Sequence, residues 1–386
     1  MAARYVVFFM VASLLMGSAH RYIWARLVRD AALPSPWGRI ATIAIIALFI
    51  ILMAGFVVFR FLPRSVASPF MWIGYTWLGV VFFLVMALGV TDLARVLTLR
   101  VQGAEALDDP SRRQAISRLF AGAAAILGLG ASAVGVVSAL SPVAVKRVRV
   151  AIDRLSKSAS GMRIVQISDV HVGPTIGKDF IEDIVGRINA LNPDVVAITG
   201  DLVDGSVEEL AMHVAPLAKL QAKHGVYFVT GNHEYYSGVD EWIAHLEKLG
   251  IKVLRNERVR IGGEHGFDLA GIHDHSSSGY GRGHGSDLKK ALDGRDEERA
   301  CVLLAHQPRG IELADELGVD LQLSGHTHGG QMFPWNFAVR LQQPFVAGLH
   351  RLRRAQIYVS KGTGYWGPPM RVGAPAEITE IELVSA

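Results

Sequence analysis

At 386 residues the chain has room for one large domain or two ordinary ones, and its 51% hydrophobic content is high for a water-soluble protein. The formal charge of +4 hides two unlike halves, with 17 Lys/Arg against 6 Asp/Glu before Ser160 and 22 against 29 from there on. A net-acidic second half argues against a nucleic-acid polymer as partner, since phosphate backbones are held by clustered Lys and Arg, and the lone Cys301 excludes an intrachain disulfide.

The apolar excess lies in four segments, Tyr5 to Trp24, Ile40 to Phe61, Phe70 to Val90 and Leu119 to Val143. Each is near the ~20 residues that a helix needs to cross the hydrocarbon core of a bilayer. The first is the weakest, and three spans plus an interfacial segment is the competing count. With four spans, the loops Arg21 to Arg39 and Arg95 to Arg118 share one side and carry nine Lys/Arg, against three for the N-terminus and the loop Arg60 to Pro69. The positive-inside rule places the richer loops in the cytoplasm. The domain that follows is then expected on the extracytoplasmic side of a bacterial inner membrane. Lys146, Arg147 and Arg149, just beyond the last span, weigh against that orientation. The run Ser111-Arg112-Arg113-Gln114-Ala115 before an apolar helix resembles a twin-arginine export signal, whose partner would be the export machinery. The simpler reading is two arginines at a cytoplasmic helix end.

From Arg147 onward the periodicity changes from helical to strand-like. Arg147 to Ile152 alternates charged and apolar residues, and Arg163 to Ser168 reads as a buried strand ending in Asp169-Val-His171. A helix over Lys178 to Leu191 and a strand over Val195 to Thr199 complete a βαβ unit. Ser206 is suited to cap a helix running Val207 to Lys223. The strand Val226 to Thr230 runs into Gly231-Asn232-His233-Glu234, and a helix is expected around Trp242 to Leu249. Short strands near Val253, Val259 and Leu269 read as an antiparallel run, and Ser276 to Gly285 as a mobile loop. Cys301 to Ala305 is a buried strand ending in His306, with Cys301 a small core residue. Leu321 to Ser324 leads into Gly325-His326-Thr327-His328-Gly329-Gly330-Gln331, and two more strands, Ile357 to Ser360 and Glu377 to Leu383, close the chain.

Five strand ends thus present Asp169 and His171, Asp201, Asn232 and His233, His306, then His326 and His328. Ligands of parallel α/β sheets collect at such carboxyl ends. In an extended segment, side chains two residues apart point the same way, so each Asp-x-His or His-x-His pair can reach one centre. Nitrogen and oxygen donors with a neutral amide suit Mn, Fe, Zn or Co better than a thiolate-seeking ion. A lone His at a strand end is usually structural; eight such groups at five ends are not.

These motifs, Asp169-x-His171, Gly200-Asp201-Leu-Val-Asp204, Gly231-Asn232-His233-Glu234, His306 and Gly325-His326-Thr327-His328, resemble in order those of the calcineurin-like metallophosphoesterases, most closely the bacterial membrane-attached phosphoesterases. The resemblance implies a four-layer α/β/β/α sandwich over 146–386, preceded by an all-α transmembrane region over 1–145. It implies two divalent ions, of Mn, Fe, Zn, Co or Mg. Asp169, His171, Asp201 and His328 would hold one, and Asp201, Asn232, His306 and His326 the other, with Asp201 bridging. Such a pair ionises a shared water that attacks phosphorus and clamps the phosphoryl oxygens, which suits hydrolysis of phosphodiesters or pyrophosphates. His233 would protonate the leaving alkoxide, with Asp204 orienting its imidazole. Gly205 stands where the protein-phosphatase branch has arginine, which counts against phosphoprotein recognition. Rival readings are a general nucleotide phosphodiesterase using the helices only as an anchor, and a non-catalytic metal-binding membrane sensor.

His273, His275 and His284 are loop residues that either touch substrate or are simply solvated. His213, His224, His245, His265 and His350 read as surface or packing residues. Tyr235, Tyr236, Trp335, Phe337, Tyr365 and Trp366 offer an apolar rim for a lipid or a base, with core packing the equal alternative. A membrane-associated or lipid-linked phosphoester is the expected substrate, because a short tether holds the domain near the bilayer.

Overall fold

The computed structural model describes residues 2–57, 61–102, 109–281 and 283–386. The end of the second apolar segment with Arg60, the middle of the loop Arg95 to Arg118, and Arg282 of the expected mobile loop lie outside the described residues. Two compact units result, Met1–Leu140 with Gly367–Met370, and Ser141–Trp366 with Arg371–Ala386.

The first unit is built from α1 (Ala2–Trp24), α2 (Trp37–Val57), α3 (Arg64–Gln102) and α4 (Pro110–Leu140). Among the described residues three helices are long and apolar enough to cross a membrane: Trp37–Val57, Arg64–Thr98 and Pro110–Leu140. The first apolar segment forms α1 but is not among them. Small residues let helices approach when lipid offers no hydrophobic drive. Accordingly α4 buries Ala121, Ala124, Gly128, Ser132, Gly135 and Ala139, and a Cβ on Gly128 would collide with Leu84 of α3. Several polar side chains in this unit are paired, as a low-dielectric surround favours. Trp77 Nε1 donates to His20 Nε2 at 2.8 Å, and Asp92 accepts from Tyr22 Oη at 2.7 Å and Arg26 Nε at 2.9 Å. Arg112 and Arg113 sit in the first turn of α4.

The second unit contains strands β1 (Ala144–Ile152), β2 (Arg163–Ile167), β3 (Val195–Ile198), β4 (Val226–Phe228), β5 (Lys252–Val253), β6 (Glu257–Ile261), β7 (Phe267–Gly271), β8 (Cys301–Leu304), β9 (Leu321–Ser324), β10 (Gly348–Leu352), β11 (Ala355–Val359) and β12 (Glu377–Ser385). Between them run α5 (Lys178–Ala190), α6 (Val207–Val214), α7 (Asn232–Ser237), α8 (Val239–Lys248), α9 (Leu288–Leu292), α10 (Ile311–Glu316) and α11 (Asn336–Val339). Two six-stranded sheets form, ordered β1-β12-β2-β3-β4-β5 and β10-β11-β9-β8-β7-β6. Alternation along each strand sends one set of side chains between the sheets. Val195 and Ala197 of the first meet a cluster with Leu269, Val302, Leu304, Leu321 and Leu323 of the second, all fully buried. The opposite face of the second sheet packs Cys301, Leu303 and Ile357 against Leu288, Ala291, Ile311 and Ala314 of α9 and α10. On the first sheet's side, α5 buries Ile181, Ile184, Val185 and Ile188, spaced as one helical face. This is the four-layer α/β/β/α sandwich.

Three expectations change. The helix from Val207 stops at Val214, because Pro216 cannot continue an α-helical ladder, and the chain proceeds as a 3-10 turn to Lys219. The strand at Val253 is not part of an antiparallel run: β5 extends the first sheet in parallel with β4, while β6 pairs antiparallel with β7 in the second. The expected mobile loop contains a 3-10 turn over His275–Gly279, capped by the Asp274 carboxylate.

Within the sheets β2, β3 and β4 run parallel, as do β7, β8 and β9. Their carboxyl ends therefore share an edge, and the chemistry collects there.

Candidate metal centre

The loops after β2 and β3 are zipped together, with Asp169 N donating to Gly200 O at 3.0 Å, His171 N to Asp201 O at 3.1 Å and Asp204 N to Val172 O at 2.8 Å. Asp169, His171, Asp201, His326 and His328 all adopt left-handed backbone, with φ between 51° and 70°. Such conformations are costly for residues with a Cβ and gather at functional sites. Two glycines permit the crowding. A Cβ on Gly231 would stand on the Asp201 carboxylate, and one on Gly325 on Ser168 and the Asp169 carboxylate.

The ionisable site residues fall into three groups, each close enough to share an ion: Asp169, His171 and His328; Asp201, His306 and His326; and His171, Asp204 and His233, which shares His171 with the first. In the first, His171 Nε2 lies 3.0 Å from His328 Nε2, and the latter 3.4 Å from Asp169 Oδ1. In the second, His306 Nε2 lies 3.1 Å from Asp201 Oδ2 and 3.2 Å from His326 Nδ1. Asp201 Oδ2 is also 3.9 Å from His171 Nε2, so this carboxylate stands between the two groups. Asp169 and His171 join one group, whereas His326 and His328 join different groups, the division that the family resemblance implies.

Two observations show that the site suits cations. His306 Nδ1 donates to Thr199 O at 2.7 Å, which leaves its Nε2 facing the Asp201 carboxylate at 3.1 Å, a contact that needs a proton or a metal ion between the two atoms. That juxtaposition requires positive charge between them. Asn232 Oδ1 is buried with no hydrogen-bond partner among the described residues, an expensive arrangement for an amide oxygen unless it serves as a ligand.

His233 sits beside this pair of groups. Its backbone N–H donates to Asp201 Oδ1 at 2.9 Å and its Nδ1 donates to Asp204 Oδ1 at 2.5 Å. Burial opposes the imidazolium, but the charges of Asp201 and Asp204 outweigh it and push His233 up to about 9. Asp204 also accepts from His171 Nδ1 at 3.1 Å. Burial would raise its carboxyl; the two imidazoles, His171 foremost, hold it well below the usual carboxylate range. The rings of Tyr236 and Trp366 flank His233 with centroids at 5.4 and 5.6 Å.

Two supporting residues escaped sequence reasoning. Glu234 is buried, and its carboxylate accepts from Gly231 N at 2.6 Å, Leu202 N at 2.7 Å and Asp201 N at 3.0 Å, which ties the loop after β4 to the loop after β3. Burial and the Asp201 charge push it up to about 7, against the pull of those N–H groups. A Glu three residues after a helix cap is a recognisable capping signal, but its bonds to the second loop are not written locally. Arg371, buried in a Gly/Pro-rich bend, donates to Gly364 O at 2.8 Å and Ala374 O at 2.7 Å, with its Nη2 3.4 Å from His328 Nδ1. No sequence signal marked it.

Of the three loop histidines, His273 is buried, 2.9 Å from Tyr235 Oη. His284 lies 3.4 Å from Asp240, and His275 is exposed. Tyr235 and Tyr365 are buried, while Tyr236, Trp335, Phe337 and Trp366 are exposed. Cys301 is fully buried in a strand, and burial pushes its thiol up to about 12.

A two-sheet sandwich whose parallel strand ends carry two neighbouring Asp/His groups is the class of the metallophosphoesterases. The family model described as calcineurin-like phosphoesterase matches residues 162–330. A Bos taurus protein named "Transmembrane protein with metallophosphoesterase domain" is 38% identical over 393 residues, which covers 97% of this chain and 87% of that protein. An uncharacterized metallophosphoesterase of Campylobacter jejuni is 32% identical over 382 residues, 98% of both chains. The chain belongs to the calcineurin-like phosphoesterase family. Relatives from animals and from bacteria alike extend across its apolar helices, and the protein is membrane-associated.

Proposed function

We propose that the protein is a membrane-anchored, two-metal phosphoester hydrolase acting on a phosphodiester or pyrophosphate of a membrane-associated or lipid-linked substrate. The observation that carries the reading is the convergence of Asp169, His171 and His328 in one group and Asp201, His306 and His326 in another, with Asp201 Oδ2 3.9 Å from His171 Nε2 of the first. Asp169, His171, Asp201 and His328 would hold one divalent ion, and Asp201, Asn232, His306 and His326 the second. Bound there, such ions supply Lewis-acid stabilisation of phosphoryl oxygens and a water of lowered pKa. His233, whose imidazolium the Asp204 carboxylate favours, is placed to give its proton to the leaving oxygen as the phosphorus–oxygen bond breaks. Asp204 holds that imidazole and the His171 imidazole in one orientation, and Glu234 fixes the loop that carries Asn232.

The substrate class is supported by tether length. Ser141, Pro142 and Val143 alone separate α4 from β1, a reach of about 10 Å at ~3.5 Å per residue, so membrane-borne esters are met at high effective concentration. For placement we retain four membrane segments, of which α1 is the fourth, with the catalytic unit on the extracytoplasmic face of a bacterial inner membrane and Arg112-Arg113 as a contact for export machinery. Purified full-length protein with Mn(II) is expected to hydrolyse an aryl phosphodiester, and Asp201→Asn to abolish this. An unchanged rate in Asp201→Asn would defeat the site assignment. Far faster turnover of soluble nucleotides than of any lipid ester would defeat the substrate class and leave the helices as an anchor.

A further inference from the structure

The sandwich unit carries one long stretch of chain unlike the rest. From Leu321 to Ala376, 56 residues, there is no Asp or Glu, and six Lys/Arg: Arg340, Arg351, Arg353, Arg354, Lys361 and Arg371. The remainder of the chain after Ser160 has 16 Lys/Arg against 29 Asp/Glu, so the acid-free run is a locally basic stretch of an acidic body; one of its arginines, Arg353, lies 3.7 Å from Asp315 of α10. Arg340, Arg351, Arg353 and Arg354 are exposed.

The same run holds the largest apolar side chains that this unit leaves in water. Phe333 is 54% exposed, Trp335 57%, Phe337 58%, Leu341 87% and Trp366 55%. Hydrogen bonds and a ring contact tie Trp366, Phe333 and Phe337 into one ridge, and Trp335 and Leu341 lie on the same short segment of chain. Trp366 packs edge-on to His233, and its backbone is joined to the Gln331 side chain by two hydrogen bonds, Gln331 Nε2 to Trp366 O at 2.9 Å and Trp366 N to Gln331 Oε1 at 3.0 Å. Phe333 follows, its N–H bonded to Val372 O at 2.9 Å, and its ring meets that of Phe337 at 5.9 Å. The ridge begins at the candidate proton donor and runs outward along α11.

We infer that the ridge Phe333–Leu341 with Trp366 is a membrane-contact surface that seats the mouth of the site on the headgroup region of an anionic lipid leaflet. A run with exposed Trp and Phe, several Arg and no Asp or Glu of its own has the composition of interfacial segments, where amphipathic rings sit at headgroup level and each basic residue is drawn to negative lipid. An apolar ridge of this kind on a soluble surface would otherwise be an aggregation liability. In a chain that already carries membrane-spanning helices, the bilayer is the surface at hand. The inference rests on the proposed hydrolase only for its consequence, that a lipid-borne ester enters from the leaflet; the contact itself is independent of turnover.

The test uses full-length protein in nanodiscs containing phosphatidylglycerol. Cys301 is fully buried, so an introduced cysteine takes a fluorescent label selectively. The label carried by Trp335→Cys is expected to be quenched by nitroxide-bearing phospholipids, whereas one carried by Met212→Cys, at a position 78% exposed on α6, is not. Equal quenching at the two positions would overturn the inference. So would shielding of the Trp335→Cys label in detergent as strongly as in nanodiscs, which would mean that a second protein copy covers the ridge. As a second readout, Trp335→Ser with Phe337→Ser should lower turnover of a phospholipid substrate in the disc by about tenfold or more, the size expected when exposed rings no longer enter an apolar phase. Turnover of a soluble aryl phosphodiester should be retained; equal loss on both substrates would place the ridge in the site instead and overturn it. Should the parent protein turn over neither ester, the hydrolase reading fails while quenching still decides the contact.

Discussion

Glu234→Gln is the most searching single substitution, because it changes one atom of a buried side chain that touches no proposed substrate. The native carboxylate accepts three backbone N–H groups, two on one oxygen from Gly231 and Asp201 and one on the other from Leu202. The amide will keep its oxygen toward the two donors, which turns its NH2 against the Leu202 N–H. One charge-assisted hydrogen bond, worth about 1.5–3 kcal/mol, is replaced by two opposed donors. The energy falls on the contact between the loop carrying Asp201 and the loop carrying Asn232. If these residues are ligands, loosening them should weaken metal binding by the roughly 10–100-fold typical of lost outer-shell support. The assay is turnover of a soluble aryl phosphodiester by the full chain as Mn(II) is titrated. The expected curve is displaced to higher metal with a plateau near that of the parent. A curve superimposed on the parent's would refute the claim that Glu234 sets ligand geometry.

Other outcomes follow from the same geometry. His233→Ala should lower kcat by about 10²–10⁴-fold, the usual loss of a positioned acid, while metal content measured by mass spectrometry stays at the parent value; loss of metal instead would make His233 a ligand. Gly325→Ala should abolish metal-dependent turnover, since its Cβ has no space beside Ser168 and the Asp169 carboxylate, and full activity would show that the loop after β9 can retreat. Trp242→Ala, at a fully buried position whose Nε1 donates to Gly205 O at 2.9 Å, should cost about 3–5 kcal/mol of stability, read as a fall in melting temperature of the detergent-solubilised protein. A reporter active only outside the cytoplasm, fused after Ala386, should light in a bacterial host, and a silent one would reverse the proposed orientation.

The strand ends were legible in sequence because a buried parallel strand is a plain apolar run, and a run that stops at Asp-x-His or Gly-Asp announces both its end and its ligands. The helical half was legible for the same reason, since apolar length alone marks a candidate span. What could not be read depends on contacts between distant residues. β5 is two residues long and takes its place from β4, not from its own pattern. The division of His326 and His328 between two groups was implied by the family resemblance and not by the His-Thr-His spacing, which by itself would aim both at one centre. Asp204 was expected to orient His233, and it does lie against that ring; its second contact, with His171, arises because the loops after β2 and β3 are zipped together. Arg371 reaches the site from a bend with no motif at all.

The central claim is that Asp201 joins two metal positions, and the most direct measurement is the number of divalent ions bound per chain. After chelation and reconstitution with Mn(II) in detergent, two ions per chain are expected for the parent protein, with turnover restored. Asp201→Asn should bind at most one, with no restored turnover. A single ion per chain in the parent, or two ions and full turnover in Asp201→Asn, would contradict the shared-carboxylate centre.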